Sequence, residues 1–393
     1  MLRKFSAKRG SLLPSFFRYL PILCGLLALS ATATNKELSN KEVNIPELPF
    51  PTSANALATI DDGEYINIFT FMGLTQVNNK LDVTSKAWKL RINKSASSIE
   101  KPPSKSITNN SSNEFWQEIS PVPTEQKQKG RFATSSIVLD NKVFLLGGYS
   151  TNTVSQPKLY PNKQNITDFY SYDMTLDTYQ QLADMPVPVD DTLMVSYQDR
   201  YIYVISGWHK DGAVNLVQVF DTFKNEWFQA SPLLGNGRFG HAGGIVDNQM
   251  LVCDGMERLP QLASSPVMKI MQSCLLGEIS PFDPTKITWI EWVHPGEQGK
   301  FRMAAFSDAN QALITFIGGS KQQYDVNGYT ANGKLIEPNN EIWVYHADKR
   351  SWSIKESKHA IADLKSLIKV NNTLISIGGR DKKGITNQVL AHN

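Results

Sequence analysis

Residues 130–148 read GRFATSSIVLDNKVFLLGG, and residues 237–255 read GRFGHAGGIVDNQMLVCDG. Each holds a short apolar run, an Asp-Asn pair, a second apolar run and a closing glycine. Apolar runs on either side of an Asn/Asp turn predict a β-hairpin. The glycine ends the second strand where backbones crowd and φ turns positive. The runs are short, β-branched and broken by turn residues, a pattern that argues against helix.

The same unit recurs along the chain. Its second strand returns as FTFMG at 69–73, VISG at 204–207, FIGG at 316–319 and ISIGG at 375–379, which with the two stretches above makes six. After the glycines come a loop of variable length and another hairpin, whose last strand carries an aromatic: Trp116, Tyr179, Trp227, Trp289 or Trp292, and Trp352. Six four-stranded units predict blades standing radially around an axis, with the late aromatic filling the gap between neighbouring sheets. The expected fold class is therefore an all-β, six-bladed β-propeller. The sixth unit has only residues 385–391 beyond its glycines, one strand too few. Residues 43–49 (VNIPELP) resemble the exits of other units, such as ISPVP at 119–123. The N-terminal strand is thus expected to close the ring and cover its open edge. A Ser-, Lys- and Asn-rich stretch at 94–112 reads as a flexible loop within the first blade.

Residues 1–33 read as a secretory signal peptide, which leaves 34–393 for the propeller. Arg3, Lys4, Lys8, Arg9 and Arg18 form a basic start without an acid, residues 20–29 are apolar, and Ala31-Thr32-Ala33 has the small-x-small cleavage form. The apolar run is well short of the roughly 20 residues a spanning helix needs. A periplasmic or secreted protein with no membrane span after cleavage is expected. The formal charge of +3 belongs to the leader: five of the 40 basic residues lie in it, leaving 35 against 37 acidic ones. A near-neutral remainder argues against nucleic-acid binding. Cys253 and Cys274 lie outside the leader. Export permits a disulfide between them, and a domain of this size equally tolerates two free thiols.

The two quoted stretches look like kelch motifs, and the resemblance spans nearly all of residues 43–391. Kelch propellers include enzymes, partner-binding modules and scaffolds, so the resemblance implies fold more than function. The six-unit count, the exported location, TIDDG at 59–63 and Trp88-Lys89-Leu90 resemble the bacterial N-acetylneuraminate epimerases, which are sialic-acid mutarotases. Residues 276–279 and 302–305 look like uncharacterised exported kelch proteins. The epimerase resemblance implies a glutamate base just after the glycine of the fourth unit, and an arginine several residues further on. Here Met256 stands at that place, followed by Glu257 and Arg258.

Aligned on their closing glycines, the units put Arg131, Arg238 and Arg302 at one offset, with Asp190 there in the third. These residues begin the innermost strand. In an antiparallel hairpin they share an edge with the residues that follow the glycines: Tyr149, Trp208, His209, Glu257, Arg258, Ser320 and Arg380. The expectation is a channel mouth ringed by arginines, whose guanidiniums suit a carboxylate or polyhydroxylated ligand. Glu257 and His209 are the candidate acid/base residues. Arg131, Arg238, Arg302, Arg258 and Arg380, with Trp208 and Tyr149 as stacking surfaces, are the candidate ligand contacts. His241 lies three residues beyond Arg238, so alternation sends it to the other side of the strand. The Gly- and Asn-rich loop at 320–340 could fold over the mouth as a lid. The six His have no metal-site spacing, and no phosphate loop or nucleophile elbow occurs; neither metal nor cofactor is expected. Two function classes stand. One is an exported propeller binding a small carbohydrate-like or anionic ligand, with mutarotase or epimerase activity implied by the resemblance. The other is a non-catalytic module taking a protein partner or cell-surface glycan on the same face.

Overall fold

The second strand of each blade is buried on both sides, and that is why its apolar run is nearly unbroken. In the strand Tyr201–Ile205, Tyr203 and Ile205 pack against Met250 and Val252 of the following sheet, while Ile202 and Val204 pack against Phe144 and Leu146 of the preceding one. The computed structural model describes residues 44–77, 80–102, 115–124, 129–150, 164–210, 212–259 and 267–393. The leader expected at 1–33 lies outside the described residues, as do residues 103–112 of the expected loop. The front of that loop is not free: Ser98–Ile99 turns back to pair with Ile92 and Asn93.

The sheets are six antiparallel blades. The first joins Ala56–Asp61, Tyr65–Val77, Lys80–Asn93 and Gln117–Ile119; the second Ser135–Leu139, Lys142–Leu146, Phe169–Asp173 and Thr178–Gln181; the third Leu193–Tyr197, Tyr201–Ile205, Val217–Asp221 and Glu226–Ala230. The fourth joins Ala242–Val246, Gln249–Cys253, Cys274–Ile279 and Ile287–Trp292, and the fifth Phe301–Asp308, Leu313–Ser320, Asn339–His346 and Ser351–Ile361. The sixth has three strands, Ile368–Val370, Thr373–Ile377 and Val389–His392. A separate apolar core fills the gap between each blade and the next, including one between the sixth and the first.

The late aromatics do more than fill space. Each donates to a carbonyl at the exit of the preceding blade: Tyr179 Oη to Ser120 O (2.8 Å), Trp227 Nε1 to Ala183 O (2.8 Å), Trp289 Nε1 to Ser231 O (3.2 Å) and Trp352 Nε1 to Val293 O (2.8 Å). In the first blade Trp116 Nε1 donates to Pro46 O at 3.1 Å. Pro46 therefore occupies the exit position of the missing strand, and the N-terminal segment closes the ring. It does so through Leu48 N–H to Asn387 O (2.8 Å) and Thr52 N–H to Thr386 O (3.1 Å), with Ile45 and Leu48 buried. The pattern also assigns Trp289, rather than Trp292, as the fourth blade's ring aromatic.

A second closure lies at the glycine end. Ala54, Ala133, Asp191, Gly240, Arg302 and Asp363, one per blade, all hold φ between 50° and 61°. Backbone hydrogen bonds link Ala133 to Ala54, Asp191 to Ala133, Gly240 to Asp191, Arg302 to Gly240, Leu364 to Arg302, and Ala54 to Asp363, at 2.8–3.3 Å. Left-handed backbone costs a non-glycine residue about 1–2 kcal/mol; here the closed circle of bonds holds it in place. The glycines facing this circle have no room for a side chain: Gly255 sits at φ +85°, where a Cβ would fall 2.7 Å from Phe239 O.

Cys253 and Cys274 are opposed across neighbouring strands of the fourth blade, fully buried and joined as a disulfide. They stand 21 positions apart, and removing the link (Cys253→Ala with Cys274→Ala) is expected to cost about 3 kcal/mol. Urea titration with and without reductant measures this, and identical midpoints would refute it.

Candidate ligand-binding site

Beyond the glycines, four blades carry a second, shorter hairpin: Tyr149–Ser150 with Gln164–Asn165, Trp208–His209 with Gly212–Ala213, Met256–Leu259 with Val267–Ile270, and Arg380–Asp381 with Gly384–Ile385. Blade five instead sends a loop across the mouth. Tyr324 is buried against Phe301, and Val326 reaches the apolar cluster of Phe132 and Tyr149 on the second blade. Arg380 clamps this loop through Nη1 to Asn327 O (2.9 Å) and Nη2 to Val326 O (2.6 Å). The lid expected at 320–340 therefore lies closed.

The ring of arginines expected at the mouth is not what forms. Arg131 and Arg238 do share one register position, opposite Ser150 and Glu257, but their side chains turn away from the axis into the blades and are 1% exposed. Arg131 pairs with Asp168 and donates to Pro123 O. Arg238 reaches Ser273 and Asp254 O, with its Nε unpaired. Burial lowers its pKa to about 10, against the pull of Asp254 and Glu257. Arg302 stands two residues further along. Blade five turns its first hairpin with four residues, 309–312, where the fourth blade uses two, so a fixed count back from the glycine stops two residues short. The true counterpart is Lys300, with Nζ 3.2 Å from Glu341 and 3.7 Å from the Trp343 ring centroid. Gly299-Lys300-Phe301, parallel to Gly130-Arg131-Phe132, is the signal that could have found it.

The other expected residues fall into two groups. Tyr149 packs with Val326 of the crossing loop, edge-on to Phe132 at 5.2 Å, and Met256 packs with Phe239 and Tyr324 in a neighbouring cluster. In a corner between blades three and four, Glu257 is 9% exposed and accepts from the exposed Asn236 at 2.8 Å. Exposed Arg258 follows it, approaching the blade-three hairpin at Gly212. Half-buried Trp208 stands edge-on to Phe239, and His209 Nδ1 lies 2.6 Å from Pro188 O. Among the described residues, no group of three or more His, Cys, Asp and Glu gathers as a metal site would require.

Sequence reasoning missed the charged network at the axis. Arg302 donates from Nε to Asp191 (2.7 Å) and from Nη1 to Asp363 (3.0 Å); Lys365 Nζ lies 3.2 Å from Asp191, and Arg380 Nε donates to Asp363 at 2.9 Å. Burial pushes both carboxyls up, but the cations outweigh it: Arg302 with Lys365 holds Asp191 below the usual carboxylate range, and Arg302 with Arg380 holds Asp363 there. Beneath this network runs an axial cavity of about 320 Å³, lined by the innermost strands of all six blades. Of the residues expected at the mouth, Arg302 lines it; Trp208, His209, Glu257 and Arg258 do not.

No family model matches the chain. It is 22% identical over 217 residues to Kelch-like protein 26 of Danio rerio, covering 54% of this chain and 31% of that protein. It is 26% identical over 174 residues to Kelch-like protein 25 of Xenopus tropicalis (44% and 26%), and 22% identical over 181 residues to Kelch-like protein terF of Aspergillus terreus (45% and 35%). The chain thus spans about a third or less of these relatives' length. Among solved structures it is similar to that of YjhT, with TM-score 0.60 and 16% identity over 89% of this chain and 99% of that one. The chain is a kelch-type, six-bladed β-propeller.

Proposed function

We propose that this kelch propeller is an exported protein that binds a small carbohydrate-like or anionic ligand in the corner between blades three and four, with sugar mutarotation as its chemistry. The carrying observation is Glu257, a largely buried carboxylate held by Asn236 and followed by the exposed Arg258, with the Trp208 ring edge-on to Phe239 on the adjoining hairpin. A carboxylate in such a place is a proton acceptor beside a platform suited to a sugar face. Mutarotation asks one group to take the anomeric hydroxyl proton and another to protonate the ring oxygen; Glu257 and His209 fill these roles in the proposal. The buried disulfide and the acid-free apolar leader support export. No helix among the described residues is long and apolar enough to cross a membrane.

The test is anomer exchange followed by NMR over a panel of sugars that includes sialic acid. Wild type is expected to accelerate one of them. Glu257→Gln should lose about 10²-fold or more of that acceleration while melting at the wild-type temperature. If no sugar responds in rate or in melting temperature, the small-ligand reading falls. A second reading, a non-catalytic module for a protein partner, draws support from Leu176, Phe223 and Phe282. These stand 70%, 77% and 95% exposed on successive blades, in the turns between third and fourth strands on the opposite face.

A further inference from the structure

We infer that the axial cavity is a second binding site, for a small hydroxylated carboxylate, entered from the hairpin-turn face. It goes beyond the Glu257 corner, which contributes no residue to its lining. The cavity is blind at the glycine end, where Tyr324 and Val326 cover the Asp191–Arg302–Asp363 network. Asp191, Thr192 and His241 at that end are buried, whereas Thr59, Val138, Ser196, Ile245 and Ser307, nearer the hairpin turns, are half-buried. Access therefore comes from the hairpin-turn face. A volume of about 320 Å³ lies at the small end of ligand pockets, which run from about 300 to 1,000 Å³.

Charge selects the ligand. The blind end gathers three cations, Arg302, Lys365 and Arg380, around two carboxylates, Asp191 and Asp363. A surplus positive charge away from water is costly unless an anion balances it. Donors remain to meet one. Arg302 spends Nε and Nη1 on the two aspartates, and its Nη2 carries no hydrogen bond among the described residues; Lys365 spends two of its three protons, on Asp191 and Thr192 O. The same cavity wall holds His241. Its Nε2 donates to Ile205 O at 3.0 Å, which leaves Nδ1 as an acceptor that is buried and unpartnered. Burial, with Arg238 and Lys365 nearby, outweighs Asp191 and the Ile205 carbonyl and keeps that ring neutral, its pKa lowered to about 3. A carboxylate facing Arg302 and Lys365 meets the charge, and a hydroxyl beside it would satisfy His241 Nδ1, which has no accessible surface until the ring tilts toward the cavity.

Isothermal titration of the full chain with L-malate and D-glycerate tests this, with succinate (no hydroxyl) and glycerol (no carboxylate) as comparisons that need no variant. Saturable binding of a hydroxy acid is expected, with at least ten-fold weaker binding of succinate and glycerol. Ala305→Phe, which fills the half-buried channel wall and leaves every charge in place, should abolish binding. Lys365→Met should weaken it at least ten-fold, and Glu257→Gln should leave it unchanged. Melting temperatures report whether each variant is folded. Absence of saturable heat with both hydroxy acids overturns the inference, as does binding that is equal for succinate or that survives in folded Ala305→Phe. Neither result bears on sugar exchange at Glu257, so the two proposals fail separately.

Discussion

Asp363→Asn is expected to lower the unfolding free energy at neutral pH by about 3–5 kcal/mol, the usual cost of removing one partner from a buried ion pair. The Asp363 side chain has no exposure and accepts from Arg302 Nη1, Arg380 Nε and, at 3.5 Å, Tyr324 Oη. Without its charge, Arg380 keeps only the carbonyls of Val326 and Asn327, and Asp191, which pairs with Arg302 and Lys365, is the one carboxylate left among the three cations. Asparagine keeps the shape and tolerates the left-handed backbone that position 363 needs (φ 60°), so the loss reports charge rather than strain. The effect has a pH signature. Burial works to raise the Asp363 carboxyl, but Arg302 and Arg380 together hold it below its ordinary value. A carboxyl lowered on folding stabilises fully above its unfolded pKa and ceases to do so as pH falls through the folded one. The gap between wild type and Asp363→Asn should therefore be full at pH 7, shrink below about pH 4, where the aspartate of the unfolded chain protonates, and close as pH falls through the lower value of the folded state. Urea titrations at neutral and acid pH measure it. A gap under 1 kcal/mol at pH 7, or one that widens in acid, would refute the account.

The blades were legible in the sequence because the physics that makes them is local. Phe144-Leu145-Leu146 and Ile202-Tyr203-Val204 bury alternate residues into different inter-blade cores, so each run stays apolar and ends at a glycine that has no room for a Cβ. The closing segment was legible too, since VNIPELP repeats the exit whose carbonyl each ring aromatic needs. The site was legible only in part. Counting from glycines assumes equal hairpins, and two extra residues in the turn at 309–312 moved Arg302 off the position of Arg131 and Arg238 and onto the axis. Whether an arginine faces the channel or a neighbouring blade depends on the left-handed residue that interrupts strand alternation, such as Ala133 after Arg131-Phe132, and that break leaves no mark in composition. Asp191 and Asp363 each follow an ordinary-looking neighbour, Asp190 or Ala362. Only the closed circle of six backbones shows that they meet Arg302.

The second large effect tests ring closure itself. Ile45→Ala with Leu48→Ala is expected to cost more than about 4 kcal/mol, since each truncation of a buried Leu or Ile runs to about 2–5 kcal/mol and neighbours need not add. Both side chains lie in one core with Leu57, Trp88 and Trp116 of the first blade and Ile368, Ile375 and Ile377 of the last. Stripping them leaves the clasp dependent on a few hydrogen bonds: Trp116 to Pro46, and Leu48 and Thr52 to the chain at 386–387. The sixth blade has three strands of its own, so losing the clasp exposes its outer edge at Val389–His392. The damage should therefore be uneven. Hydrogen exchange is expected to quicken first in Ile368–Val370 and Val389–His392 and in the first blade's outer strand, while the third and fourth blades, whose mutual core holds Tyr203, Met250 and Trp289, keep their protection. Uniform loss of protection across all six blades would mean that the ring unfolds as one unit, with its seam no weaker than any other junction. A loss under 2 kcal/mol would mean that the circle of backbone bonds through Ala54 and Asp363 closes the propeller without help from the N-terminal segment.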